Sequence, residues 1–511
     1  RLGEAASHFS RSAGVGDPEA VEALCEALAQ AERRDAYEET LAILDALVEI
    51  LPAGDDRWIR VAEAMAAEGD WAPHHAADLH GGTAIRAMRE IRAALERTDD
   101  IRRRAAVTLR LSSMLAWGAH EFEEAERGCR DAAELFEQGG ESAQMLLAVN
   151  ELASIHGLRG DLAAWQEGAR RVVEDAEATG HPFVVKRAAA ALGMAAWWRG
   201  RFTDAEAAFR RCIEVAQTEG NLRRLAWALL SLAMTLAGEG RAAEATDLLE
   251  RAAMMTPARR DSSLLELEAS IHFLLGDYPA AVAAARDAAA LTPSASRGDA
   301  VGIAAGAISA IETDQVAEAR RQVTRCWSAC GERPWFFYAA FCAMANGLLD
   351  WREGRLEEAL ASMQGAVSGL TSWRALPTLA LALVELVEVA VEVGDVEAAG
   401  GGVAQLEAAA DEMDRDLHRA LAAIGRAWWR LAAGVRDAAA EEARRAVALL
   451  SDAGYHAFLA RALDLLGRAL AATDPAAARE AFDRAEEEFG VAGARWRLER
   501  MLKARRELGM V

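Results

Sequence analysis

The chain has 511 residues with 57 basic and 80 acidic side chains, a net charge of −23 that repels phosphate backbones and argues against direct nucleic-acid contact by this segment. Hydrophobic residues reach 52% while aromatics make up only 6%, so most of that class is small and aliphatic, above all alanine, which favours closely packed helices over strands. A length of this order fits roughly three or four globular domains, or one repeat array.

Arg1 opens the chain with no apolar leader behind it, so no secretory signal is read and the segment is expected to continue a longer protein. Asp17-Pro18 supplies an N-cap and a first-turn proline for a helix near residues 18–33. A second helix is expected from Ala36 to Leu51, stopped by Pro52, and a third at 57–68. Residues 70–82 then break the pattern with Pro73, Gly81-Gly82 and three histidines. His74, His75, Asp78 and His80 are the best metal-like cluster, but the proline and paired glycines mark an irregular loop, so no metal is assigned.

Helical periodicity resumes at Thr83, and beyond it the chain repeats. Gly160, Gly200 and Gly240 stand 40 apart, as do Gly354, Gly394 and Gly434; Gly276 and Asp314 divide the interval between the two sets into steps of 36, 38 and 40. The phase extends outward to His120 and Asp474. The unit from Ala190 to Asn221 shows the layout: an apolar-periodic helix, a Gly-Arg turn, a second amphipathic helix and another glycine turn. Five residues after the turn a small side chain recurs, at Ala125, Ala205, Ala245, Ala281, Ala319, Ala359, Ala399 and Ala439, where only a small group lets antiparallel helices approach. Trp165 breaks this rule, so its hairpin is expected to be splayed or shifted in register.

A lone hairpin cannot bury its apolar face, so neighbours must stack. The expected architecture is an all-α, right-handed superhelical solenoid of about ten to twelve hairpins with a period near 40 residues. Its parts are an N-terminal hairpin at 1–56, an irregular repeat at 57–99, the array at 100–490 and a basic helix at 491–511. The longest apolar stretch, Ala375 to Val393, is broken by Pro377, Glu385, Glu388 and Glu392 and reads as an amphipathic helix, not a membrane span. Six scattered cysteines, with Cys326, Cys330 and Cys342 the only loose group, do not make a disulfide framework, and Cys326 and Cys330 read as small buried hydrophobes of a protein in a reducing cytoplasm.

Leu192-Gly193 in a first helix, Gly200 at the turn, Ala205 opening the second helix and Phe209 within it resemble the tetratricopeptide repeat. The 40-residue step is longer than usual and in that respect is similar to the repeats of the maltose-regulon activator and other large LuxR-type regulators of the signal-transduction ATPase class. The N-terminal run from His8 to Pro52 resembles the segment that follows the nucleotide-binding module in such proteins. The resemblance implies that an ATPase module precedes this segment and that a helix-turn-helix domain lies outside it. The segment itself holds neither: its only lysines, Lys186 and Lys503, lie in no G-x-x-x-x-G-K-[ST] loop, and H-E-x-x-H and G-x-S-x-G are absent. No catalytic residue, metal or cofactor is therefore assigned, and no enzyme is expected.

In tetratricopeptide arrays the first helix of each hairpin lines a concave groove, and the resemblance implies that the residue three before the turn points into it. Those positions hold Trp117, Gly157, Trp197, Ala237, Phe273, Ile311, Trp351 and Val391, with Trp198, Trp227, Met234, Phe341 and Arg352 beside them. Such a wall suits a sugar, a planar metabolite or an apolar peptide, while the competing reading is that these aromatics pack between hairpins. Glu385, Glu388 and Glu392 share one helix face and would present an acidic stripe to a cationic or arginine-bearing partner, or to solvent. Arg495, Arg497, Arg500, Lys503, Arg505 and Arg506 make the last helix basic, a weak DNA signal in so acidic a chain.

The function expected is a non-catalytic sensor or interaction domain of a transcriptional regulator, binding an inducer or a partner protein in the groove, with no contact to nucleic acid or membrane. The alternatives are a protein-protein scaffold, or the regulatory arm of a multidomain enzyme such as a nucleotide cyclase.

Overall fold

The computed structural model describes residues 14–33, 43, 46–47, 50–51, 83–96, 99–220, 222–255, 262–291, 300–330 and 336–510. Every regular element among the described residues is helical, and none of the helices is long and apolar enough to cross a membrane. The expected helix at 57–68 and the 70–82 segment with His74, His75, Asp78 and His80 lie outside the described residues; of the expected 36–51 helix, Ile43, Ala46, Leu47, Ile50 and Leu51 are described, and all five are buried.

The chain divides into two compact units whose boundary falls at Leu192/Gly193. Hairpins of the same design continue on both sides of it.

In the first unit α1 (Pro18–Arg33) begins as its sequence dictates, with the Asp17 carboxylate accepting from the Glu19 and Ala20 amides at 3.1 and 3.2 Å. Then come α2 (Thr83–Leu95), α3 (Ile101–Met114), a π-helical turn at Leu115–Ala119, α4 (Phe122–Gln138), α5 (Ser142–Leu158), α6 (Leu162–Thr179) and the start of α7 (Pro182–Trp198). His120 takes the turn position with a left-handed backbone, φ 55°, in place of glycine. The splay expected at Trp165 does not occur. A Cβ on Gly157 would lie 2.2 Å from the Trp165 ring, so the missing side chain on α5 makes the room that the large one on α6 fills, and Trp165 is buried.

The second unit completes α7 and continues as hairpins: α8 (Phe202–Glu219), α9 (Leu222–Glu239) with α10 (Ala242–Met255), α11 (Ser262–Leu275) with α12 (Tyr278–Leu291), and α13 (Ala300–Glu312) with α14 (Val316–Cys330). Next are α15 (Phe336–Arg352) with α16 (Leu356–Trp373), α17 (Leu376–Val393) with α18 (Val396–Met413), α19 (Asp416–Ala432) with α20 (Arg436–Leu450), α21 (His456–Leu470) with α22 (Pro475–Ala492), and the single α23 (Arg495–Glu507).

The turn at Gly200 shows why the ladder needs glycine. The Gly200 amide donates to Trp197 O at 2.9 Å and the Arg201 amide to Ala196 O at 2.9 Å, a pairing that holds Gly200 at φ 70°, which a side chain resists. Asp314 fills the same position with φ 60°. Asp474 does not: its φ is −141° and its carboxylate caps α22 by accepting from the Ala477 amide at 3.1 Å, a correction to the extended phase. The eight alanines five residues past the turns are all 0% exposed, as their role at the helix crossing requires. At Gly193 a Cβ would come within 2.8 Å of the Phe209 ring, which accounts for the leucine-glycine and phenylalanine of that unit as one packed set.

Within the second unit the stack coils far enough to meet itself. A Cβ on Gly200 would lie 2.5 Å from Met413, Arg415 donates to Glu239 and Thr203 at 3.0 Å each, and the buried Tyr455 hydroxyl donates to Ala237 O. α17, expected to be amphipathic, is consequently buried on nearly every side, from Leu376 to Ala390.

Candidate functional site: the inner wall of the second unit

The first helices α13, α15, α17 and α21 carry one continuous polar cluster, and α23 lies against it. Arg497 of α23 donates through Nε to Glu312 at 2.7 Å and through its two terminal nitrogens to Glu388 at 2.9 Å and Glu385 at 2.6 Å. Arg461 of α21 bonds the same pair, Glu385 at 2.6 Å and Glu388 at 2.8 Å, and Arg500 reaches Glu388 and Glu392. Trp351 of α15 donates its indole N–H to Glu392 at 2.7 Å and meets Trp496 edge to face, ring centroids 4.9 Å apart. The Arg500 guanidinium stands 4.4 Å from the Trp351 ring centre.

Four carboxylates thus face three guanidinium groups. Burial alone would raise the Glu388 carboxyl; Arg497, Arg461, Arg500 and Arg468 outweigh it and bring it down to about 2, while the surrounding carboxylates hold the Arg497 guanidinium above its ordinary value. Arg497 uses three nitrogens to bond three different carboxylates and Arg461 two nitrogens to bond two, a planar fan of donors that a lysine could not reproduce.

The residues expected to line an open groove are distributed differently. Trp197, Trp198, Phe341 and Trp351 are buried, at 3%, 7%, 4% and 3% exposure, and Met234 and Glu388 are buried with them. Trp197 donates to Met234 O at 3.4 Å, joining α7 to α9, and Trp198 meets Phe341 edge to face at 5.9 Å. Trp227 is half-buried beside Phe209, ring centroids 6.1 Å apart, and Phe273 half-buried beside Tyr278 at 6.4 Å. Arg352, expected beside Trp351 as a ligand charge, pairs instead with Asp314 at 3.0 Å. The acidic stripe is not vacant, because Arg461, Arg497 and Arg500 complete it, with Glu388 buried and Glu392 exposed at its end. Trp197, Trp198, Phe341 and Trp351 are therefore packed within the chain, while Trp227 and Phe273 stay partly accessible.

In the first unit Trp117 donates to Glu151 at 2.8 Å, the same pattern of a tryptophan before one turn bonding a glutamate on the next first helix. Burial, together with the charge of Arg187, brings Arg110 down to about 10 near this pair.

Sequence reasoning placed Glu388, Glu392 and Trp351 but missed Glu312, Arg461 and Arg497 as their partners. A lone charge ending an otherwise apolar first helix, as at Glu312, was the available signal; Arg461 shares its helix with Asp464 and Arg468 and did not stand out. The cysteines also need correction: Cys326 and Cys342 form a disulfide between α14 and α15, with Cys330 Sγ 3.4 Å from Cys342 Sγ.

Hairpin stacking, left-handed turns and the alanine crossings define a helical-repeat protein of tetratricopeptide-like fold, and residues 186–255 match the tetratricopeptide-repeat family. No curated protein matches the chain. Among solved structures, the chain is similar to a Rap protein complexed with competence and sporulation factor at 12% identity and TM-score 0.43, covering 63% of this chain and 98% of that one. It is also similar to the apo quorum sensor NprR from B. thuringiensis, at 14% identity and TM-score 0.43, with 69% and 99% covered. A third similarity is to the Cut9-Hcn1 assembly of the APC/C, at 14% identity and TM-score 0.45, with 93% and 95% covered.

Proposed function

We propose that this chain is a non-catalytic interaction module whose inner helix wall binds a protein or peptide partner. One observation carries the reading: carboxylates from α13 and α17, with Trp351 of α15, converge on the single helix α23, bonding its Arg497 and Arg500 and packing against its Trp496. A wall with this chemistry selects a partner by charge and shape and needs no cofactor. The resemblance of the 40-residue repeats to LuxR-type ATP-dependent regulators supports a place as the sensor arm of a transcriptional regulator. In that setting the partner or inducer acts by binding one state of the coil more tightly than another.

The test pairs calorimetry against a metabolite panel with affinity capture, each performed on the wild-type chain and on Glu392→Gln. A captured protein that the variant fails to retain supports the reading; heat with a metabolite and no captured protein replaces it with a small-molecule sensor. Sequencing the gene on both sides decides the setting. An upstream P-loop with a downstream helix-turn-helix supports the regulator, whereas an adjoining cyclase domain makes the array the regulatory arm of an enzyme.

A further inference from the structure

We propose that α23 is an intramolecular ligand of the inner wall, and that the partner it stands in for is a cationic amphipathic helix presenting a tryptophan with arginines one and four residues after it. The proposal rests on the reading of this wall as a binding surface and names the partner's chemistry.

Charge sets the class of occupant. Without α23 the wall keeps Glu312, Glu385, Glu388 and Glu392 with Arg461 bonded to two of them, and with Arg468, itself bonded to Asp464 at 2.8 Å, as a further positive charge nearby. The helix brings the two missing guanidinium groups. An apolar helix seated there would leave the Glu312 carboxylate, nearly inaccessible to water, without the guanidinium it bonds and would strip Glu388 of Arg497 and Arg500, so the wall disfavours it.

Geometry sets the spacing. Arg497 follows Trp496 directly and Arg500 comes one turn later, so all three side chains leave the same side of α23; Trp496 meets the Trp351 edge while Arg500 covers its face. The opposite side of α23, with Arg495, Glu499, Lys503, Arg506 and Glu507, is exposed. The chain passes from α22 to α23 through Gly493, left-handed at φ 68°, and Ala494, and Arg505 pairs back to Asp483 of α22 at 2.7 Å. A helix held along one face largely by charge-assisted bonds opens without unfolding what it covers, and its release is favoured by salt.

The probe is a fluorescent peptide of residues 494–508, titrated into the full-length wild-type chain and the full-length double variant Arg497→Ala/Arg500→Ala. The double variant, its own helix weakened, should bind the peptide at least about 100-fold more tightly than the wild type, in which α23 competes at the high effective concentration of a tethered ligand. A peptide with alanine at both arginines should bind neither. In parallel, hydrogen exchange on the wild-type chain should show the α23 amides exchanging faster than those of α21 and α22, and faster again when the unlabelled peptide is added. A folded double variant that ignores the peptide, equal binding by both chains, or α23 amides exchanging only with α21 and α22 would each overturn the proposal, the last even if the double variant does not fold. If the peptide fails while a captured partner is still lost from Glu392→Gln, only the helix chemistry is wrong and the interaction module stands.

Discussion

Replacing Glu388 by glutamine removes the one carboxylate that Arg461, Arg497 and Arg500 all share. Its folded carboxyl is held at about 2, against 4.5 in the free side chain. With about 1.4 kcal/mol for each tenfold change in acidity constant, the fixed charge contributes about 3 kcal/mol at neutral pH. Breaking a buried ion pair from one side costs about 3–5 kcal/mol, so the two routes agree. The sign follows from a depressed carboxyl: the contribution is fully present above pH 4.5 and is lost as pH falls through 2. Urea unfolding followed by tryptophan fluorescence measures it, because Trp351 and Trp496 lie at the cluster. Glu388→Gln should lose about 3 kcal/mol at pH 7, and the difference from wild type should shrink below pH 4.5, where the unfolded chain takes up a proton that the folded carboxylate still refuses. A loss below about 1 kcal/mol at pH 7, or a difference unchanged between pH 6 and pH 3, would show that the shared charge of Glu388 does not stabilise the fold.

Trp197→Ala should cost about 3–5 kcal/mol in chemical denaturation, as a buried tryptophan truncation does; a near-neutral result would return Trp197 to an open groove. Gly157→Ala should lower stability by about 1–3 kcal/mol through the clash with Trp165, and pairing it with Trp165→Phe should recover part of that loss; an unchanged thermal midpoint for the single variant would refute the compensation seen between α5 and α6. His418 is brought from 6.5 down to about 3 by burial and then by Arg415, and its ring stacks on Phe202 at 5.5 Å. The unfolded chain therefore takes up a proton below pH 6.5 that the folded chain refuses, so this residue alone should remove about 2 kcal/mol between pH 7 and pH 5, and His418→Asn should flatten that interval in urea midpoints. A variant whose midpoint falls as steeply as the wild type's would refute this assignment.

The path from sequence to hairpin was direct because each of its steps is local. A left-handed turn favours Gly200 whatever lies elsewhere in the chain, and Ala205 is small because its own partner helix crosses there. Asp17-Pro18 likewise starts α1 through bonds spanning no more than three residues. Trp165 misled for an instructive reason: its compensation at Gly157 lies on the paired helix, visible only when both are read together.

What belonged to the amino-acid order alone was the alternation of helix and turn and the step of about 40 residues, since these obey backbone sterics and nearest-neighbour packing. Only the folded coil decided that the acidic face of α17 meets Arg461 and Arg497, 73 and 109 residues from Glu388, and that Cys326 meets Cys342. The repeat period says nothing about which distant turns of a coil come together. That follows from small rotations accumulated hairpin by hairpin, and with it comes the helix that fills the wall.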